Sequence, residues 1–414
     1  MSENFPEYTR EDWEALAVEA TPDKKAKFLN EVINNEIEIK AVYSQEENNL
    51  YEHREMPGTA PYTRGTKFAA RENGVWDIRA IVSSTDIESA NKNALDELKK
   101  GSTSLLVDYE NIGIRSFEDL ETVLENIYLE MIGVCLKPGQ NGLQIASWLI
   151  ELWEKRKVEL RKRQGSLGLD PLGVAAIRGN PVESFEDCID FENLMDRAGY
   201  ARVIAVDSSI YAESGANAVE ELSYSMSTAV SYLRDLTDMG LNLETVLRNI
   251  SFTYSCNADQ FTTIAKFRAA RSLWSRITQE CGASLESQVQ LQHAITPTSR
   301  SIKTDPWSVL LRGTVATFAA GVGGAEAITV LPFDGDTGQS EEFGRRIARN
   351  TQLLLTEESH VGRVIDPAGG SWYVEELTDQ LVQKTWSHFQ NLESLGGMQK
   401  VIESGYINKG LKHE

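Results

Sequence analysis

Two stretches of this chain alternate polar and apolar side chains in a way suited to holding a ligand. Ser251, Thr253 and Ser255 alternate with Ile250, Phe252 and Tyr254, and Gln288, Gln290 and Gln292 alternate with Val289 and Leu291. Successive side chains of a strand point to opposite faces of a sheet. With the apolar set packed against helices, the hydroxyls and carboxamides line the inner face. Such a face must be hydrogen-bonded or wet, because an unpaired buried polar group costs roughly 1–3 kcal/mol. It reads either as a channel for an elongated polar ligand or as a self-satisfied network. Arg268 and Arg271, and again Arg346 and Arg349, fall three apart, which suits helices stapled to acidic neighbours. Generic catalytic signatures are absent: there is no HExxH, GxSxG or GxxxxGK[ST], and no Cys/His cluster with zinc spacing, so no metal site is expected. His53, His293, His360, His388 and His413 lie far apart, and Glu357-Glu358 reads as a solvated helix end.

The elements that must position these residues repeat. Strand-like segments fall at Trp76–Val82, Ser104–Asp108, Met131–Leu136, Val174–Ile177, Val203–Asp207, Ile250–Ser255, Val289–His293 and Ala327–Leu331. Between them lie helical patterns at Asp86–Lys100, Phe117–Tyr128, Leu143–Arg163, Phe185–Ala198, Ala216–Met239, Gln260–Glu280 and Pro306–Ala319. Gly101, Gly199 and Gly240 sit where helices should stop. Eight strands alternating with helices predict an α/β fold, a (β/α)8 TIM barrel. A doubly wound open sheet is the alternative, weakened because no Gly-rich phosphate turn follows the first strand. The expected organisation is an N-terminal arm over 1–60, a barrel over 61–340 and a C-terminal helical extension over 341–414 packed on it.

Composition bounds the function. With 62 acidic against 41 basic residues the net charge is −21, which argues against a nucleic-acid partner. No apolar run is long enough to span a membrane. The acidic N-terminus lacks a targeting signal, and Cys135, Cys188, Cys256 and Cys281 show no CxxC spacing, so a cytoplasmic protein with reduced thiols is expected.

Longer strings carry a resemblance. Ile264-Ala265-Lys266-Phe267-Arg268-Ala269-Ala270-Arg271-Ser272-Leu273-Trp274 resembles the IAKxRAxRxLW helix of the methylmalonyl-CoA mutase family. Arg346-Ile347-Ala348-Arg349-Asn350-Thr351-Gln352, then Glu357-Glu358-Ser359 and Asp366-Pro367-Ala368-Gly369-Gly370-Ser371, is similar to its ARIARNTQ…EES…ADPxGGS block. Pro61-Tyr62-Thr63-Arg64-Gly65, Asp305-Pro306-Trp307 and Gly396-Gly397-Met398 extend the match over about residues 37 to 410. The resemblance implies a barrel whose axis is threaded by the pantetheine chain of a coenzyme A thioester. It also implies the radical isomerisation of methylmalonyl-CoA to succinyl-CoA with adenosylcobalamin as cofactor.

The reactive positions depart from that pattern. Where active members read SGYHMQEAGA, this chain reads Asp207-Ser208-Ser209-Ile210-Tyr211-Ala212-Glu213-Ser214-Gly215-Ala216, so the active-site histidine becomes Ile210 and the tyrosine before it Ser209. Counting from Trp76 puts Arg71 at the family's cofactor-abutting tyrosine, and counting from Asp170 puts Gly168 at its glutamine. Arg178 keeps the spacing of the arginine that pairs with the substrate carboxylate, with a surface salt bridge as the other reading. His293 matches a histidine of the family's AHCQTS, although strand parity groups it with the outward set. The family's D-x-H-x-x-G cobalt-ligating motif is absent from the sequence, so the cofactor is expected on a partner chain and not on this one. The chain therefore resembles the catalytically silent small subunit of a heterodimeric mutase, its arm wrapping a large subunit. The alternatives are an active barrel served by a separate cobalamin-binding chain and a module that only binds a CoA thioester.

Overall fold

The computed structural model describes residues 8–21, 30–33, 36–44, 55–69, 76–179, 191–298, 305–334 and 341–407. Eight parallel strands form a closed barrel. They are β1 (Asp77–Val82), β2 (Ser104–Val107), β3 (Gly133–Leu136), β4 (Gly165–Leu169), β5 (Arg202–Asp207), β6 (Ile250–Ser255), β7 (Gln292–Ile295) and β8 (Ala327–Thr329). Closure runs through the pairs Ala327↔Asp77 and Ile328↔Ile78, which join β8 to β1. Helices cover the outside, and their starts are fixed by short polar side chains that satisfy free backbone N–H groups. Asp86, Asp170, Asn217, Asp259 and Asp305 each accept from a first-turn N–H, and Pro171 and Pro306 follow two of these caps. Gly101, Gly199 and Gly240 adopt positive φ where helices end, as the sequence implies.

Two strand expectations are corrected. Val174–Ile177 is not the fourth strand but part of the helix Pro171–Arg178; the strand is Gly165–Leu169. Asp170 caps that helix through Gly173 N at 3.0 Å, and Pro171 takes its first position, where a missing N–H costs nothing. Gly-Ser-Leu-Gly-Leu lacks a strand's β-branched signature because Gly165 and Gly168 have φ of +116° and +70°, and the register shifts between Ser166 and Leu169.

The second correction concerns facing. Gln288, Gln290 and Gln292 point out of the barrel, against the helix Gln260–Glu280. Gln292 accepts from Arg271 Nη1 (2.7 Å) and donates to Phe267 O (2.9 Å) and Gln290 Oε1 (2.7 Å). Gln290 donates to the Tyr254 hydroxyl (3.0 Å), and Gln288 accepts from Ser275 (3.1 Å). The carboxamides are satisfied by helix and neighbouring strand, so the outer layer here is polar and internally hydrogen-bonded. Leu291 and His293 take the inner face instead. In β6 the expected sense holds: Ser251 and Thr253 face inward and Tyr254 outward.

Buried ion pairs tie this layer to the C-terminal helices. Arg268 grips Glu375 with two bonds of 2.8 and 2.7 Å and also meets Asp366, while Lys266 pairs with Glu221 and donates to Ser255 O (2.6 Å). The long helix Trp372–Ser394 packs on Ala218–Asp238 and Gln260–Glu280. It also receives the N-terminal hairpin, Asn30–Ile33 paired with Ile37–Lys40, through two bonds of 2.9 Å between Gln380 and the Glu38 backbone. No helix among the described residues is long and apolar enough to cross a membrane.

Candidate functional site

A cavity of about 650 Å³ runs along the barrel axis, lined both by strand starts such as Gly133, Gly165 and Arg202 and by strand ends such as Leu136, Asp207 and Ile295. A barrel axis is ordinarily filled by Val, Ile and Leu. Here Gly133, Gly165, Ser166, Ala205, Ser251 and Thr253 leave it open. Gly165 must stay glycine, since a Cβ there would lie 1.9 Å from the Val134 carbonyl oxygen.

At mid-channel His293 Nε2 lies 2.8 Å from Thr329 Oγ1, and its Nδ1 lies 3.3 Å from Thr253 Oγ1. Burial, reinforced by nearby Arg79, drives the imidazole pKa well below its ordinary value, so the ring is neutral. Held between two threonine hydroxyls, it brings no charge to the channel at neutral pH.

The C-terminal mouth gathers Lys137, Asp207, Ser209, Ile210 and Glu213. Asp207 Oδ1 accepts from Ser209 N (3.1 Å) and Ser209 Oγ (2.5 Å). Burial raises its carboxyl pKa to about 6, against the lowering effect of the Ser209 bonds and Lys137. Behind it, fully enclosed Asp170 accepts from Gly173 N, Tyr232 OH (2.5 Å) and Asp207 N (2.9 Å), and burial lifts it to about 7. Lys137 pairs with Asp108 at 3.0 Å. Ile210, on the first turn of the short helix Ser209–Glu213, presents only carbon to this mouth. The arrangement can hold an elongated polar ligand and can move a proton at Asp207. Ile210 offers no donor to a thioester carbonyl.

The residues singled out in the sequence are dispersed. Ser209, Ile210 and His293 share the channel. Gly168 does not line it, and a side chain there would collide with Leu136 O, 2.2 Å from the Cβ position. Arg178 turns to Glu110 at 2.6 Å on the exposed rim. Arg71 and Cys188 lie outside the described residues, while Cys135, Cys256 and Cys281 are free thiols. Asp170 entered the sequence reading only as a reference point for counting and Asp207 only as the end of a predicted strand and the start of a compared string, and Tyr232 and Lys137 did not enter it. A polar residue closing a barrel strand, as Asp207 does, is the signal that finds such positions.

These residues do not fit as cobalt ligands for the adenosylcobalamin that the resemblance implies. His293, the imidazole that lines the channel, faces threonine hydroxyls with both ring nitrogens, at 3.3 Å and 2.8 Å, and leaves neither one free as an axial ligand.

The family model for methylmalonyl-CoA mutase matches residues 33–112 and 107–414. The chain belongs to the methylmalonyl-CoA mutase family. It is 39% identical to the methylmalonyl-CoA mutase small subunit of Streptomyces virginiae over 98% of this chain and 67% of that protein. It is 34% identical to the small subunit of Propionibacterium freudenreichii subsp. shermanii over 99% of this chain and 66% of that one. A methylmalonyl-CoA mutase of Cereibacter sphaeroides is 28% identical over 95% and 59%. The chain thus spans about two thirds or less of the length of these relatives. Among solved structures, a dihydropteroate synthase of Stenotrophomonas maltophilia overlays with a TM-score of 0.36 at 14% identity, over 68% of this chain and 94% of that one, too loosely to argue from.

Proposed function

We propose that this chain is the small subunit of a heterodimeric, adenosylcobalamin-dependent methylmalonyl-CoA mutase, structural and catalytically silent. A large partner subunit carries the cofactor and the isomerisation of methylmalonyl-CoA to succinyl-CoA. One observation carries the reading: Ile210 lines the channel mouth at the position where the resemblance puts the family's active-site histidine, and its side chain offers only carbon. Ser209, the tyrosine position, is spent on Asp207, and Gly168, the glutamine position, has no room for a side chain. The names of the two small-subunit relatives support the same reading. A second reading rests on the 650 Å³ channel: the barrel still holds a CoA thioester without transforming it.

The deciding experiment purifies the chain alone and with a full-length mutase chain from the same cell. Each preparation is assayed with methylmalonyl-CoA and adenosylcobalamin, and the mass of the complex is measured. The expected result is silence alone and a stable heterodimer whose activity disappears when the partner's active-site histidine is replaced. Turnover that survives that replacement overturns the proposal. CoA-thioester binding by the isolated chain would establish the second reading beside the first.

A further inference from the structure

A second, much smaller cavity, of about 20 Å³, lies outside the barrel wall, between β1 and the helices Ile87–Lys99 and Glu341–Leu353. Ile78 and Ala80 form its floor. They alternate along β1 with the channel-lining Asp77, Arg79 and Ile81, so they point away from the axis. Val330, Pro332 and Ala348 add carbon to its wall. The space suits one water molecule or one monatomic ion.

The polar groups on this wall are mostly donors. Arg345, Arg349 and Gln352 line it from one side and Glu97 from the other. The Glu97 carboxylate is already shared: Oε2 accepts from Arg349 Nη1 (2.6 Å) and Ser102 Oγ (3.4 Å), and Oε1 lies 3.7 Å from Arg345 Nε. Arg349 is 4% exposed, and its buried Nε–H has no acceptor among the described residues. Gln352 is 2% exposed, and Trp76 Nε1 donates to its Oε1 at 3.0 Å. That bond fixes which way the carboxamide turns. It leaves Nε2 as a donor, again with no acceptor among the described residues. Buried donors of a native fold are met by the protein, by water or by an ion. A water molecule would need acceptors for its own hydrogens, and the wall offers one carboxylate that two guanidiniums and a hydroxyl already share. A monatomic anion only accepts, and its bond to a guanidinium N–H is charge-assisted.

We propose that this cavity binds a halide ion, chloride in ordinary salt, held by Arg349 Nε and Gln352 Nε2. The ion joins the helix Glu341–Leu353, which opens the C-terminal extension, to the outer face of β1. The stability of that junction therefore follows halide concentration. The site is separate from the channel and stands whether or not the barrel is silent, so it goes beyond the function proposed above.

The test uses the full chain in a gluconate buffer, with chloride or bromide exchanged in at constant ionic strength. Crystals grown in bromide should show an anomalous peak in the cavity, in contact with Arg349 Nε and Gln352 Nε2. Tm should rise by about 2 °C as chloride goes from about 1 to about 200 mM, because a ligand bound only by the folded state stabilises it. Gln352→Glu keeps an acceptor for Trp76 and brings a negative oxygen of its own to the cavity. It should lose both the chloride-dependent rise and the bromide peak. Arg349→Lys keeps a charge facing Glu97 but removes the Nε–H, and should lose both as well. The wild-type crystal needs no variant, so a substitution that fails to fold leaves the test intact. The proposal is overturned by water in place of bromide in the cavity, by bromide found only elsewhere on the protein, or by a chloride response that Gln352→Glu leaves unchanged.

Discussion

Asp207 sets two demands against each other, because its carboxyl is drawn out of water at the channel mouth while Ser209 donates to it twice. Burial prevails, and the pKa rises to about 6 from an ordinary 3.8. The folded chain therefore keeps this proton to higher pH than the unfolded chain does. Raising the pH from about 4 to about 6 should cost stability, with a slope approaching 1.4 kcal/mol per pH unit at most. Asp207→Asn keeps an oxygen for both Ser209 bonds and removes the titration. Urea denaturation across pH 4–7 should give a flatter stability profile for the variant than for the wild type; parallel profiles would show that Asp207 titrates normally. The arginines were legible at this scale because a helical spacing of three brings side chains onto one face. Arg268 and Arg349 do meet acids, at Glu375 and at Glu97 (2.6 Å). Arg271 and Arg346 do not meet the acids that the spacing suggested: Arg271 donates to the carbonyls of Tyr62, Thr63 and Gly323, and Arg346 lies over the Phe343 ring. Backbone acceptors leave no mark in composition.

The element hardest to read was β4, where the apolar run that resembles a strand belongs to a helix. Its cap and proline were visible as Asp170-Pro171, but a strand whose glycines have positive φ offers no periodicity to find. β7 was legible in period and not in sense, because alternation alone does not say which face a set of side chains takes. Buried arginine and serine on the preceding helix Gln260–Glu280 decide that, and which way that helix presents them is set by the packing of the fold. The geometry of β4 gives a direct test. Gly168 has φ of +70°, and a Cβ would lie 2.2 Å from Leu136 O on the adjacent strand. Gly168→Ala must both adopt a left-handed conformation and push β3 away, so a loss of about 2–4 kcal/mol is expected in denaturant titration. A loss below about 0.5 kcal/mol, the level of an ordinary surface change, would mean that β4 takes a different path.

Across the whole molecule, the barrel has an open axis, and the positions that the resemblance singles out at its mouth are set on different strands and turns. This bears on whether activity can be restored. Ile210→His would place an imidazole at the mouth, and Ser209→Tyr would place a phenol beside it, at the cost of the Ser209–Asp207 bonds. Neither change opens space at Gly168, where the obstacle is backbone. Neither releases Arg178 from Glu110, which holds it on the rim. Groups that act as one constellation are strongly non-additive, so restoring two of them is expected to recover almost nothing. In a complex whose partner subunit has lost its own active-site histidine, Ile210→His and the double variant with Ser209→Tyr should show no isomerisation above that inactive background. Complex mass should stay unchanged and Tm nearly so for Ile210→His, which lines the channel mouth, while the double variant should melt lower because Ser209 is buried and its hydroxyl bonds Asp207. Turnover at even a few per cent of the intact complex would show that a single side chain separates this barrel from a working one, and the silent role would then rest on Ile210 alone.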